Sequence, residues 1–541
     1  MTQVYYRANL NDEEFPLVSK FQGKTVIQQS IDQNYQQGSL FDKTASDRGI
    51  PEAYYMHNVM PSIHGYKSVS YVDAIDGVPG VLTFDKVFQV KDFDGNRGLI
   101  AICLEGKTYL LSSITRKWKE VTPPNQPATD EVTVANVTGT TFICYANWGI
   151  FSVDLINQEL DPASIQWDSP LTNASITGIS ASNNYMLAHD GITLYWSSAL
   201  DVLDFRASQI TGAGNGTPTA AIGNIIFLSP VGVGFAVYCQ GNIVVASFSG
   251  NVQYPWLFKE APNGSGIADI ASVTSSGEDN SNYAWTTAGL LKVTLGGCTT
   301  IHPATSDFIG GRIFEDFDTV TNTFLVEHLS SNLKVRLAFV ASRFLCISYG
   351  PTLFKYVLVY DVALKRWGKL KAEHAQLFEV SYEVLFSIPT YYDIGLVSYQ
   401  SYETDTYNSM SVSKNIAPSA RHSMAVMTNN GQVRMIVVEF GDTDSDAVLL
   451  LGKYQIFRAN TVAIQGFSIE SIDSDNTNFS VKVLTSIDGK NTYLTTTPYE
   501  TVSDSMRQYD CLAIGQNHSL LIKGAFHITA LVLVFSKNGN R

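Results

Sequence analysis

Residues 191–208, GITLYWSSALDVLDFRAS, decide how this chain folds. Ile192, Leu194 and Trp196 alternate with Thr193 and Tyr195, which is the period of two of a β-strand. The strand stops at an aromatic pair. A polar segment follows, in which only Leu200, Val202, Leu203 and Phe205 are candidates for burial. Immediately before it, NYMLAHD supplies a partner strand, so the two form a hairpin turning at Asp190–Gly191.

The same arrangement recurs along the chain. LIAICLEGKTYLLSS turns at Gly106, TFICYANWGIFSVD at Gly149, GFAVYCQGNIVVASF at Gly241 and NYAWTTAGLLKVT at Gly289. Each turn sets Gly beside Asp, Asn, Glu, Gln or Ala, the composition that short hairpin loops require. The five glycines stand 42 to 50 residues apart. Units of that length with about four short strands each are the signature of β-propeller blades.

A sixth unit pairs SRFLCISYG with FKYVLVYDVALKRWGKL around a longer loop containing Pro351. Its phrase VYDVALKRW closes one strand on an aspartate and opens the next at a tryptophan. LLSSITRKWKEV has the same form, and VASFSGNVQYPWLF is a looser version. LYWSSALDVLDF repeats it with Phe205 where the others carry Trp118, Trp256 and Trp367. These aromatic residues are expected to pack between blades, and the polar loop to be a blade-edge turn.

The expected fold is therefore all-β. A β-propeller core of about six blades occupies residues 46–400, and residues 1–45 form an N-terminal arm or assembly segment. The Ser/Asn-rich stretch 401–423 is a linker or surface loop. Short alternating strands over 424–541 suit a C-terminal β-sandwich-like domain. Within it ALVLVF, Ala530–Phe535, has too many consecutive apolar residues for a half-exposed strand, so a doubly buried one is expected.

Composition narrows the function. Charged residues are 16% of the 541, low against the roughly 25% usual for soluble domains. The balance of 36 basic and 50 acidic residues gives −14, and no run of five Lys/Arg exists to grip nucleic acid. The six cysteines, Cys103, Cys144, Cys239, Cys298, Cys346 and Cys511, contain no C-x-x-C pair and read as free thiols in apolar runs. The start MTQVYYRANLNDEEF lacks the apolar stretch of a secretory signal. The longest apolar run, IIFLSPVGVGFAVYC, falls short of the about 18 residues of a membrane-spanning helix. The chain reads as made in the cytosol, without membrane insertion.

Catalytic, cofactor and metal motifs are not recognised. GDTDSDAVLLLGK sets Asp442, Asp444 and Asp446 at calcium-loop spacing, but has Ala447 where an EF-hand needs Gly and Lys453 where it needs Glu. Asp473 and Asp475 form a weaker version. Asp488–Gly489 in LTSIDGKNTY reads as a hairpin turn. GAGNG at Gly212–Gly216 lacks the Lys-Ser/Thr of a phosphate loop and reads as a flexible loop, a candidate to face a channel.

Three segments together resemble the tail nozzle, or tail tubular protein B (stabilisation protein), of short-tailed bacteriophages. GIPEAYYMHNVMPSIHGYKSV places Asn58, Pro61 and Gly65 as that family does where its chain approaches the propeller. LYWSSALDVLDFRAS matches a second motif through Trp196, Ser197, Asp204 and Phe205. HSLLIKGAFHITALVLVFSKNGNR resembles the family's closing segment through His518, Ser519, Gly524, Gly539 and Arg541. The sequence departs from the family at Tyr66–Lys67, where an arginine is usual, and at Val202–Leu203, where a proline is.

The resemblance implies a virion structural protein made in the host bacterial cytoplasm, without a catalytic centre. It implies a homo-hexameric ring below the portal, adjoining a tail adaptor ring and tail fibres, spikes or a needle. Genome DNA would pass through the ring without specific binding. Channel-facing loops are then expected to carry Asp, Glu, Ser, Asn and Gly in preference to Lys and Arg, because each cation–phosphate contact would slow transit. The alternative from another class is a glycan-binding or glycan-degrading propeller. Its catalytic version needs two carboxylates about 5–9 Å apart, and Asp190, Asp201, Asp204, Glu315 and Asp316 are the candidates near loops.

Overall fold

The stretch Gly234–Cys239 is buried at all six positions, and Tyr185–His189 and Thr108–Ser112 are buried at every position too. Strands of this kind have no wet face, so each sheet must be covered on both sides by others. The computed structural model describes residues 3–9, 17–21, 24–30, 53–73, 84–303, 316–318, 323–325, 334–380, 424–436, 447–454, 462–471, 478–486, 495–502 and 509–537, with short gaps inside several of these runs. Among the described residues nearly all regular structure is β, with two single-turn 3-10 helices.

Six antiparallel four-stranded meanders follow one another, over residues 84–120, 132–162, 178–216, 225–260, 273–303 and 334–374. Their first strands pack side by side in chain order. A seventh sheet completes the ring. It is built from Gln376–Val380, Met424–Asn429 and Gln432–Ile436, with Tyr71–Asp73 as its outer strand. Gln376–Val380 packs against Lys334–Val340 on one side and Phe84–Lys91 on the other, which closes the circle. The molecule contains a seven-bladed β-propeller, one blade more than the repeats reveal.

Packing explains why the blades hold together. Separate buried clusters join blade one to two, two to three, three to four, four to five and six to seven. Fully burying a Val, Leu, Ile or Phe side chain contributes roughly 1.5–3 kcal/mol, so each interface is held mainly by such side chains. Five cysteines are buried as free thiols, and Cys511 is partly buried.

The glycine register holds. Gly106 and Gly191 lie in hairpin turns with φ of 76° and 96°, which side chains disfavour, and Gly241 also lies in its turn. Gly149 and Gly289 open the outgoing strands. In the former hairpin the left-handed residue is Asn147, φ 55°.

The strand pairing draws the domain boundaries differently from the sequence. Met424–Ile436 belongs to blade seven, so residues 401–423 lie within the connection between the first two strands of that blade. The N-terminal segment is not a separate arm in its described parts. Gln3–Asn9 pairs with the last strand, His527–Lys537, while Lys24–Ser30 and Leu17–Phe21 extend the sheet beyond it. Ala530–Phe535 thus has a paired neighbour on both edges, Gln3–Asn9 and Val462–Ser471. A second sheet joins Ala53–His57, Val448–Tyr454, Asn517–Ala525 and Asn478–Ser486. Side chains of both sheets share one buried cluster with those of blades five and six.

This platform is fastened to the propeller by backbone. Val59 pairs with Lys369 on the outer strand of blade six, and Val59–Ser62 pairs in turn with Gly65–Ser68. Gly368 permits that approach, since a Cβ there would sit 2.5 Å from the Val59 carbonyl oxygen. The Lys371 N–H donates to the Asn58 side chain at 2.9 Å.

Ring closure rests on Arg336. Its guanidinium donates to the Asp85 carboxylate at 2.9 Å, the Asp85 carbonyl at 2.6 Å and Gln376 Oε1 at 2.8 Å, tying blades six, one and seven together. Burial pushes the Asp85 carboxyl up, but the charge and hydrogen bond of Arg336, with Lys86, outweigh it and hold the pKa below its ordinary value. Replacing Arg336 with Met is expected to cost about 2–3 kcal/mol in urea unfolding at neutral pH. Because the folded-state pKa is lowered, the contribution is full above the ordinary carboxylate pKa of about 4 and is lost as pH falls through the folded value. The gap between the two proteins should therefore narrow in acid. Equal midpoints at pH 7 would mean the ring closes without this contact.

His189 adds a second pH dependence. It ends the second strand of blade three, buried beside Gly178, where a Cβ would lie 2.5 Å from its Nε2. Its Nδ1 has no hydrogen-bond partner. Burial lowers its pKa to about 4, against a smaller opposing pull from Asp190. Between about pH 6.5 and 4 the unfolded chain takes up a proton that the folded chain refuses, so stability falls with pH across that window, by up to about 3 kcal/mol. The variant H189Q should show a flatter stability profile from pH 6.5 to 4 in chemical denaturation. An unchanged slope would sink this assignment.

Candidate interaction face

Six blades turn from their third to their fourth strand, and five of the six do so with one device. At or just past the third strand, Ser112, Asp154, Ser198, Ser249 and Asp361 each accept a hydrogen bond from the backbone N–H two residues on. The distances run from 2.8 to 3.2 Å. Asx and Ser turns of this kind fix a tight reversal without glycine. In blade six Asp361 is buried, and Arg343 Nε also donates to it at 2.7 Å.

In three consecutive blades the residue at that second position is large, apolar and exposed: Ile114, Ile156 and Leu200. Leu200 is 86% exposed, and Ile210 in the same blade-three loop is 87% exposed. Tyr254 stands exposed at the blade-four turn. In a meander the first-to-second turns open on the same side as the third-to-fourth turns. Exposed Val233, in the first-to-second turn of blade four, is therefore on this face as well. Neighbouring turns are bonded together there. Thr115 donates to Gln158 at 2.8 Å, and Asn183 Nδ2 donates to the Val233 carbonyl at 2.6 Å.

The segment LDVLDF has a different role from its tryptophan counterparts. Trp118 and Trp256 open fourth strands, and Trp367 lies one residue inside one. Phe205 lies in a long loop before the fourth strand of blade three, Gly214–Gly216. That loop bridges back to the connection between blades two and three. The Gln166 N–H donates to the Leu203 carbonyl and the Phe205 N–H to the Gln166 carbonyl, the Phe205 ring lies tilted against Trp167 at 4.3 Å between centroids, and the Ala207 N–H donates to Asp168 at 2.8 Å. Phe205 is buried, so its packing between blades is as expected.

The glycines 212–216 are not a flexible loop. Gly214–Gly216 is the outer strand of blade three, packed on Trp196, whose indole N–H donates to the Gly212 carbonyl at 2.8 Å. A Cβ on Gly214 would lie 3.1 Å from the indole ring. The glycines give the indole room.

The candidate acids are engaged in turn geometry. Asp190 accepts from the N–H groups of Ile192 and Thr193 and from the Tyr195 hydroxyl. Burial raises its pKa, but these hydrogen bonds hold it below the ordinary carboxylate value. Asp201 accepts from the Leu203 N–H. Asp204 is gripped by two nitrogens of Arg206, each at 2.9 Å, and that hydrogen bonding lowers its pKa. A glycosidase acid needs a raised pKa, the opposite of Asp190 and Asp204. Asp316 lies in the short strand Asp316–Asp318. Glu315, Asp442, Asp444, Asp446, Asp473, Asp475 and the Asp488–Gly489 turn lie outside the described residues. Among the described residues no three His, Cys, Asp or Glu side chains group as metal ligands. No described helix is long and apolar enough to cross a membrane.

No protein-family model matches the chain, and no curated protein matches it. Among solved structures it is similar to YCF48 bound to D1 peptide, at 9% identity and a TM-score of 0.37, over 69% of this chain and 96% of that one. It is also similar to the beta-propeller domain of Myceliophteria thermophila Cps50 (Swd1), at 8% identity and a TM-score of 0.35, over 69% of this chain and 99% of that one. What makes this chain a propeller is its own strand pairing, seven sheets in a closed ring.

Proposed function

We propose that this chain is a structural subunit of a bacteriophage tail nozzle. Six copies form a ring around the path of the ejected genome, in the virion tail, between an adaptor ring and the distal fibres or tip. The observation that carries this reading is where the nozzle-like segments lie. The segment around Asn58–Ser68 and the closing segment from His518 are more than 450 residues apart in sequence, yet they form one unit. The Ser68 N–H donates to the Phe526 carbonyl at 2.9 Å, and the Phe526 N–H donates to the Ser68 hydroxyl at 3.1 Å. Tyr66 and Lys67 pair with Ile528 and His527, and Ser62 Oγ lies 2.9 Å from His527 Nε2. Both chain ends thus build the platform that carries the propeller, an arrangement suited to a rigid ring component.

The engaged state of Asp190 and Asp204 weighs against a glycan-degrading propeller, and the subunit acts by shape. Negative-stain microscopy of the purified full chain at micromolar concentration should give closed rings with a central hole and six-fold class averages. Sedimentation velocity should give six times the chain mass. A monomer that stays dispersed across that range, or tight binding of duplex DNA at moderate salt, would refute the nozzle reading.

A further inference from the structure

The charge of this chain is unevenly placed. From residue 121 to residue 260, the span that holds blades two, three and four, the sequence has ten Asp/Glu residues and two Lys/Arg, Arg206 and Lys259. That stretch alone carries −8 of the total −14. The charge of Arg206 is taken up by its bidentate pairing with Asp204. Nine of the twelve exposed large apolar residues found among the described residues fall in the same stretch. Ile192 lies in a second-to-third turn and Ile222 is bonded to one through Asn242, both on the other side. Ile156, Leu200, Ile210, Val233 and Tyr254, by contrast, gather on the third-to-fourth turn face, and such a grouping marks a contact surface rather than the ordinary scatter of surface hydrophobes.

We propose that the turn face of blades two to four docks a basic, apolar-studded segment of a different protein. Ile156, Leu200, Ile210, Val233 and Tyr254 supply the apolar contacts. Asp154 and Asp201, whose carboxylates cap the same turns, supply the field that favours a cation. Opposite charge across an apolar contact sets the choice of partner and its rate of encounter. A second copy of this chain does not fit. Face to face, two such surfaces would set the acidic turns of one copy against the same acidic turns of the other. The inference concerns the partner's chemistry and stands whether or not the subunit is a nozzle.

The test uses the full chain and two fluorescent amphipathic peptides of equal apolar content, one built from Leu and Lys, the other from Leu and Glu. Anisotropy should show binding of the Leu/Lys peptide, weakening as salt rises and the Debye length shortens below about 8 Å. The Leu/Glu peptide should not bind. The double variant L200S/I210S removes two exposed side chains and should fold normally, yet lose about tenfold or more in affinity. L512S, on the platform, should bind as the parent does. Equal binding of both peptides, no binding of either, or an unaffected L200S/I210S would overturn the proposal. So would sedimentation in which L200S/I210S dissolves an oligomer that the parent forms, since a second copy would then be the occupant.

Discussion

Arg336 reaches from the sixth blade to Asp85 on the first and Gln376 on the seventh, at the one place where the ring closes on itself. The contacts among blades one to six join neighbours in sequence, so they form between segments that are never far apart. The joint at Arg336 brings together residues 251 positions distant. Closing so long a loop carries an entropic cost that rises only logarithmically with length. It must still be met by contacts at one place. The Gln89 side chain adds a bond to the Glu379 carbonyl at 2.8 Å, and Tyr71–Asp73 completes the seventh sheet from the N-terminal side. Ring and chain ends are thereby locked in the same region.

This explains what the sequence could and could not disclose. Blades one to five are local meanders, so their turns recur at a readable interval and Gly106, Gly149, Gly191, Gly241 and Gly289 mark them. Blade six was visible through its aspartate–tryptophan phrase. Blade seven has no such trace. Its first strand is separated from its second by residues 381–423, and its fourth strand precedes the whole propeller in sequence. Periodicity registers neighbours along the chain and is blind to a sheet assembled from distant pieces. For the same reason the alternation in Met424–Asn429 and Gln432–Ile436 reads in sequence like that of the C-terminal strands that follow, although both complete blade seven.

The candidate face was legible only in part. Asp361 stood out in VYDVALKRW, but its equivalents Ser112, Ser198 and Ser249 did not, because a serine capping a turn looks like any polar loop residue. An exposed isoleucine carries no information alone. Ile114, Ile156 and Leu200 become a pattern once the hydrogen bonds place each of them two residues beyond a capping side chain, at equivalent points of consecutive blades. Gly214–Gly216 misled for a related reason. Glycines read as freedom where the partner is unknown, and Trp196, the partner, lies eighteen residues or more away.

The distribution of constraints around the ring then accounts for where an acidic, apolar surface is able to form. Blade six is committed through its outer strand to the platform, where Gly368 and Val59 fix the backbone approach and Lys369 is buried against the Tyr356 ring at 4.7 Å. Blade seven borrows its outer strand from the N-terminal side, and blade one is held by the Arg336 joint and by ion pairs such as Lys107–Glu120. Cations are needed at those places because they pair with specific carboxylates. Blades two to four have no joint to close and no platform to carry. The clusters of buried apolar side chains between them hold them together. With neither joint nor platform to hold, this flank carries Arg206 and Lys259 as its only Lys or Arg residues, and its turn tips keep the large apolar residues that folding does not use.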